Sequence, residues 1–181
     1  MVQIQNGRLI VNWLKGEDNT YPRFSQTGEE LRRVFELLKV FLEQNTLDQP
    51  RINQWEVTYV NHIPQGVLWK QAEDLKELFP SLLVTSKNTS EYKLESIEAN
   101  WRMLLPDNRG RLHVELNHGW KDQNPSSEQV IVLQFTARGP VDIEKNQTLE
   151  SGLNIGHDSI VRTFTESTSA KAHQHWEHCD E

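Results

Sequence analysis

The segment WEVTYVNHIP, residues 55–64, decides the fold of this chain. Large apolar residues alternate with polar ones along it, and a proline ends it. This pattern predicts a sheet strand with two different faces. One face carries the large apolar side chains, and the other carries Glu56, Thr58 and His62. The rest of the fold is worked out from this strand.

Amphipathic helices are predicted on both sides of the strand. Before it, apolar residues recur every three or four positions from Leu31 to Leu42, and Thr27 and Glu30 have the spacing of a capping box. After it, a turn at residues 64–66 leads to a shorter helix that includes Trp69 and stops at Pro80.

A β-hairpin follows, with its turn at residues 107–110. Placing Asn108 and Arg109 at the tip aligns the apolar residues in pairs: Leu105–Leu112, Met103–Val114 and Trp101–Leu116. The same register pairs the polar residues of the other face: Arg102–Glu115 and Asn100–Asn117. A slip of one residue would set apolar against polar side chains along the whole hairpin, so this register is predicted.

The remaining segments complete a two-layer architecture. Residues 130–137 are apolar on both faces, which predicts a central strand, and residues 2–11 predict one strand or a hairpin that pivots on Asn6-Gly7. The chain after residue 155 is helical, with a last helix that reaches Trp176. Short turns between consecutive strands imply antiparallel pairing. We therefore predict an α+β fold, a two-layer sandwich of a largely antiparallel sheet with helices on one face, in a single domain 1–181.

Composition excludes several classes of protein. The net charge of −7 argues against binding nucleic acid mainly through counterion release, and the basic pairs Arg32-Arg33 and Arg109/Arg111 are interpreted as solvated surface. The one cysteine, Cys179, excludes an internal disulfide, and no apolar run is long enough to span a bilayer. We expect a cytoplasmic protein without membrane contact.

Three stretches in order carry a resemblance: VQIQN to YPR in residues 2–23, EVTYVNHI at 56–63, and GHDSI with a later Phe and Thr in 156–168. Together they resemble a sporadically distributed family of uncharacterised prokaryotic proteins, over nearly the whole chain. The resemblance implies a soluble bacterial α+β protein. It supplies no catalytic residues.

Members of that family typically carry a further strand and helix before the stretch that begins here at Val2. We therefore expect this chain to lack that N-terminal portion, either naturally or by truncation. A sheet without its first strand exposes an unpaired edge, which proteins rarely leave bare. The strand of residues 2–11 is thus predicted to lie at or near an edge and to pair with a second copy or a partner protein.

Two weak candidates for general acid–base chemistry stand out. The predicted strand of residues 55–64 is called the signature strand below. Glu56 as base and His62 as acid share one of its faces, and His157 stands beside Asp158 at the start of a predicted helix. Adjacent helical residues point about 100° apart, so His157 and Asp158 do not orient each other. A hydrogen-bonded row along the strand and a polar niche for His157 are the structural alternatives.

The C-terminus carries a candidate metal cluster. His175, His178 and Cys179 would share a helix face, as zinc or nickel ligands can. The cluster lies at a terminus and lacks a loop-borne fourth ligand, so we interpret it as a solvated helix end and predict no metal and no other cofactor. The sequence also has no Gly-x-Ser-x-Gly, Walker, dinucleotide-binding or His-Glu-x-x-His motif.

The polar face of the hairpin is the best candidate binding surface, with an ordinary solvated sheet face as the alternative. Its residues are Asn100, Arg102, His113, Glu115 and Asn117. We therefore expect a non-catalytic binding or regulatory module that presents a sheet face or edge to a partner protein or small molecule. The alternative is a small hydrolase that uses Glu56 with His62 or His157 in a cleft between sheet and helix.

Overall fold

The structure, a computed structural model, describes residues 1–5, 7–14, 22–82, 94–121, 127–142, 144–145 and 147–179, with side chains up to Trp176. The chain divides into two compact units, Met1–Ile52 and Asn53–Glu181. The single domain expected from the sequence stays a prediction.

The first unit contains a hairpin and one long helix. Strands β1 (Val2–Gln5) and β2 (Arg8–Val11) pair antiparallel with Gln5 opposite Arg8, and Gly7 has a positive φ of 71°. This is the tight hairpin that the sequence allowed as one of two readings. In the described chain it forms a two-stranded sheet of its own and is not a strand of the main sheet.

Helix α1 (Phe24–Gln44) begins one turn earlier than predicted. The backbone N–H of Arg23 donates to the side chain of Gln26 at 2.9 Å, so the start is capped before Thr27. Glu30 instead accepts from Arg33 at 2.7 Å. The predicted capping box between Thr27 and Glu30 is therefore wrong, because both residues already lie inside the helix.

The second unit is built on a four-stranded antiparallel sheet. Its strands are β3 (Gln54–Pro64), β4 (Ala99–Leu104), β5 (Arg111–Trp120) and β6 (Gln129–Pro140), in the spatial order β3-β6-β5-β4. The helices are α2 (Leu75–Leu78), α3 (Leu149–Ser167) and α4 (Ala170–Cys179). The predicted α+β class is confirmed, and β6 is the central strand that its two apolar faces indicated.

Helix α3 covers one side of this sheet, here called the inner face. The helix packs on β3, β6 and β5, and its Phe164 ring meets Phe135 of β6 edge-on at 6.0 Å. Close approach is possible because the helix presents Gly152 and Gly156 to the ring of Trp55. A Cβ atom at Gly156 would lie 2.7 Å from that ring, and one at Gly152 would overlap it. The signature strand is thus held by a tryptophan set against two helical glycines.

The β4–β5 hairpin has its predicted faces but a different register. The observed pairs are Trp101–Val114, Met103–Leu112, Asn100–Glu115 and Arg102–His113, two residues away from the prediction. The turn is longer than a two-residue tip, because Asp107 and Asn108 both adopt φ of 55° and the N–H of Leu105 donates to the carbonyl of Gly110. A shift of two residues keeps every side chain on its face.

Three apolar side chains of this hairpin were expected to turn inward together. Trp101 and Met103 do share the inner face with their partners on β5, and Leu105 is buried in the turn. Met103 is nevertheless 37% exposed, because β4 is the edge strand and α3 lies over the other three strands.

The helices after β3 and β6 differ from the prediction in extent. Trp69 lies outside any helix, where its buried indole N–H donates to the carbonyl of Ile63 at 3.1 Å, and only Leu75–Leu78 is α-helical. Helix α3 starts at Leu149, where Thr148 caps the N–H of Ser151. His157 therefore lies in the middle of the helix and not at its start. No helix within the described residues is long and apolar enough to cross a membrane.

Candidate functional site

Most polar side chains of the sheet lie on the face opposite α3, here called the outer face. Strand register places the following residues there: Glu56, Thr58 and His62 of β3, Asn100 and Arg102 of β4, Arg111, His113, Glu115 and Asn117 of β5, and Gln134, Thr136 and Arg138 of β6. All five predicted binding residues belong to this set. Alternation along four paired strands is sufficient to bring them together.

A depression of about 220 Å³ lies at one end of the outer face. It is lined by Glu98, Ala99, Asn100, Glu115 and Asn117, so it contains three of the five predicted binding residues. Asn100 and Glu115 are directly opposed in the register. The two carboxylates offer acceptors, and the two amides offer both donors and acceptors. This end of the face is therefore suited to polar groups that can donate hydrogen bonds.

The other predicted residues, Arg102 and His113, form a cross-strand pair next to this depression. The predicted ion pair between Arg102 and Glu115 is absent, because the two-residue shift sets His113 and not Glu115 opposite the arginine. The Nε2 atom of His113 is buried without a hydrogen-bond partner. Burial lowers the pKa of His113, and the positive charges of Arg138 and Arg102 lower it further. The ring is thus held toward its neutral form in a positive environment.

Glu56 and His62 do not form a catalytic pair. Both side chains are exposed on the outer face, and they lie six positions apart on one strand, roughly 20 Å at the rise of a β-strand. General acid–base partners must reach the same substrate within hydrogen-bond distance, so this geometry removes the convergent site that the hydrolase alternative required.

His157 belongs to the inner side of the sheet. Its Nδ1 atom lies 2.9 Å from the hydroxyl of Tyr59, and the two rings are 6.0 Å apart. Asp158, next to it, is exposed. His157 therefore ties α3 to the signature strand, as the polar-niche alternative expected, and it lies on the opposite side of the sheet from Glu56 and His62.

The predicted C-terminal metal ligands are described only in part. His175 is half-buried, whereas the side chains of His178 and Cys179 lie outside the described residues. The neighbouring His173 lies 2.6 Å from the hydroxyl of Thr168. Within the described ranges, no three His, Cys, Asp or Glu side chains are grouped so as to hold a metal ion.

Two arginines are among the outer-face residues that the sequence analysis missed. Arg111 and Arg138 are directly opposed on β5 and β6. Arg111 had been grouped with Arg109 as solvated surface, but the two have different surroundings. Arg109 donates to the hydroxyl of Ser151 at the start of α3, at 2.6 Å, whereas Arg111 stands exposed on the sheet. The two arginines were missed because they become neighbours only when β5 pairs with β6, and local turn sequences do not determine that pairing.

Comparisons with known proteins add no assignment to this geometry. No protein-family model, curated protein or solved structure matches the chain.

Proposed function

We propose that this protein is a non-catalytic binding or regulatory module that presents the outer face of its sheet to a small ligand or partner protein. One observation carries the proposal: five polar residues predicted from the sequence lie on a single face, and helix α3 packs on the opposite one. A shallow, open depression beside Asn100 and Asn117 lies on that face.

The test compares two variants that each remove asparagine amides. The double variant Asn100→Ala/Asn117→Ala alters the rim of the depression, whereas Asn154→Ala alters an exposed position on α3. Wild type and both variants are immobilised, exposed to lysate of the native host and eluted, and the bound proteins and small molecules are identified by mass spectrometry.

We expect a species that wild type and Asn154→Ala retain and that the double variant loses. A set of bound species that is identical for all three proteins would contradict the use of this face. Circular dichroism spectra of the variants serve as the control for folding.

Self-association through the N-terminal strands is a second part of the proposal. The hairpin of β1 and β2 forms a two-stranded sheet, and each strand has one unpaired edge within the described chain. Such an edge can pair with a second copy. Size-exclusion chromatography with light scattering tests this, and a monomer at high concentration contradicts self-pairing.

The resemblance to a sporadically distributed prokaryotic family supports a setting for such a module. We propose a cytoplasmic bacterial protein with an accessory role, for example in a defence system. The resemblance helps to choose the host organism for the binding experiment, and it does not indicate a mechanism.

A further inference from the structure

Three arginines form a positively charged cluster on the outer face, with Arg111 and Arg138 at the end away from the depression and Arg102 between them and the depression. Arg111 and Arg138 are directly opposed on adjacent strands, so their Cβ atoms are about 4.5–5.5 Å apart. Arg102 lies diagonally to Arg111 across the β4–β5 pair. All three side chains are exposed. Arg102, Arg111 and Arg138 are called the arginine cluster below.

Within the part of the chain that the structure describes, no side chain forms an ion pair with the cluster, and Glu56 is the carboxylate directly opposite Arg138. The ion pairs among the described residues are Arg33–Glu30, Lys39–Glu36 and Lys145–Asp142, and none of them involves the arginine cluster. Glu56 stands opposite Arg138 on the other side of β6 but forms no ion pair with it. Like charges directly opposed across strands are destabilising, and this cost is relieved when an anion binds between them.

The groups around the cluster also favour an anion. His113 lies between Arg102 and Thr136 in the register, and burial, followed by the positive charges of Arg138 and Arg102, lowers the pKa of its ring. The hydroxyls of Thr136 and Thr58 lie 3.2 Å apart, so one donates to the other and one hydroxyl proton is left at the rim of the cluster. Guanidinium groups present donors in a planar fork that matches phosphate oxygens.

We propose that the arginine cluster binds the phosphate group of a small molecule. This inference rests on the proposed function of the outer face and adds that the ligand of that face is an anion. A single dianionic group suits a cluster of three arginines, whereas an extended polyanion would meet the negative charge of the whole chain, −7, and the carboxylates of the depression.

Calorimetric titration tests the proposal with inorganic phosphate and phenyl phosphate as probes. Wild type, Arg111→Gln and Arg138→Gln are compared with Arg162→Gln, a matched change at an exposed arginine of α3. Loss of one charge-assisted pair is expected to weaken binding by about tenfold or more in the two cluster variants and to leave Arg162→Gln unchanged. Glu56→Gln is expected to bind more tightly, because it removes a competing carboxylate beside Arg138.

A second readout follows the imidazole resonances of His113 by NMR. Bound phosphate should raise the pKa of this ring in wild type and in Arg162→Gln, because an anion offsets the charge of the arginines. Tighter binding of phenyl phosphate would indicate a phosphate ester as the natural ligand, and equal binding would indicate the free ion; both support the site.

Unchanged phosphate affinity in Arg111→Gln and Arg138→Gln would overturn the proposal. So would tight, salt-sensitive binding of a single-stranded oligonucleotide without saturable phosphate binding. Neither result affects the test with Asn100 and Asn117, which changes no residue of the arginine cluster. The proposed function can therefore survive the failure of this inference, and the reverse also holds.

Discussion

His113 is surrounded by charged side chains from three strands. Arg102 of β4, Arg138 of β6, and Arg111 and Glu115 of β5 all act on its ring. Glu115 favours the protonated ring, but burial and the arginines outweigh it, so the pKa lies below its ordinary value of 6.5. The ring therefore links the stability of the fold to pH.

The sign of that linkage follows from the direction of the shift. As the pH falls through 6.5, the histidine of the unfolded chain takes up a proton before the one in the folded chain does. The stability contributed by His113 is thus present above 6.5 and is lost as the pH falls toward the folded-state pKa. We expect wild type to lose more stability than His113→Gln between about pH 7.5 and about pH 5.5, measured by urea unfolding.

His62→Gln is the matched control, because His62 is an exposed histidine on the same face. It should follow the wild-type dependence on pH. Equal losses in wild type and His113→Gln would show that His113 is not a source of the pH dependence.

At the scale of elements, the contact between Trp55 and α3 sets the distance from helix to sheet. A methyl group at Gly156 would come within 2.7 Å of the Trp55 ring and 3.3 Å of Val57. Overpacking of this kind costs about 1–3 kcal/mol, against a gain in helix propensity of about 1 kcal/mol. We expect Gly156→Ala to lower the thermal unfolding midpoint.

Gly28→Ala provides the comparison for that change. Gly28 also lies in a helix, but a Cβ atom there would meet nothing within 4 Å. The substitution should be neutral or stabilising, by up to about 1 kcal/mol. If both alanines changed the midpoint in the same direction and to the same extent, the proposed role of the Trp55 contact would be wrong.

The elements show where sequence reasoning succeeded and where it failed. Alternation in residues 55–64 and the apolar run in residues 130–137 predicted two strands, because burial of one or both faces leaves a local pattern. The β4–β5 register was missed by two residues, because the positive φ angles of Asp107 and Asn108 leave no clear trace in composition. The predicted start of helix α3 lay too far along the chain. Gly152 and Gly156, which make room for the ring of Trp55, interrupt the apolar stripe from which the helix was predicted.

The candidate site was predictable only within one hairpin. Five of its residues follow from alternation along β4 and β5, which are joined by a short turn. Arg138 belongs to β6, and its place beside Arg111 depends on the register between β5 and β6, which are separated by eight residues in the sequence. Such pairing is decided by the core as a whole, so the arginine cluster became visible only in the folded chain.

At the scale of the whole molecule, the sheet and helices α2, α3 and α4 all belong to the unit Asn53–Glu181. Its interior is formed by its own residues, among them Trp69, Phe79, Phe135 and Ile160, which are almost fully buried. A segment with its own core can fold independently.

We therefore expect a fragment of residues 53–181 to fold without the first unit. Its amide NMR spectrum should be well dispersed, and its thermal unfolding should be cooperative. The full chain is the reference for both measurements. A fragment that gives a collapsed spectrum without a cooperative transition would show that the second unit needs residues 1–52.

The close packing of Trp55 against Gly152 and Gly156 affects how β3 and α3 open during fluctuations of the folded chain. With so little space between ring and helix backbone, the start of β3 and the first half of α3 cannot separate by small steps. In hydrogen–deuterium exchange, the amides of these two segments should open together as one cooperative block with a common free energy, while the edge strand β4 exchanges earlier. The amides of the signature strand would then be among the slowest to exchange in the molecule. This strand would give rigid support to the outer face, which is proposed to bind the ligand.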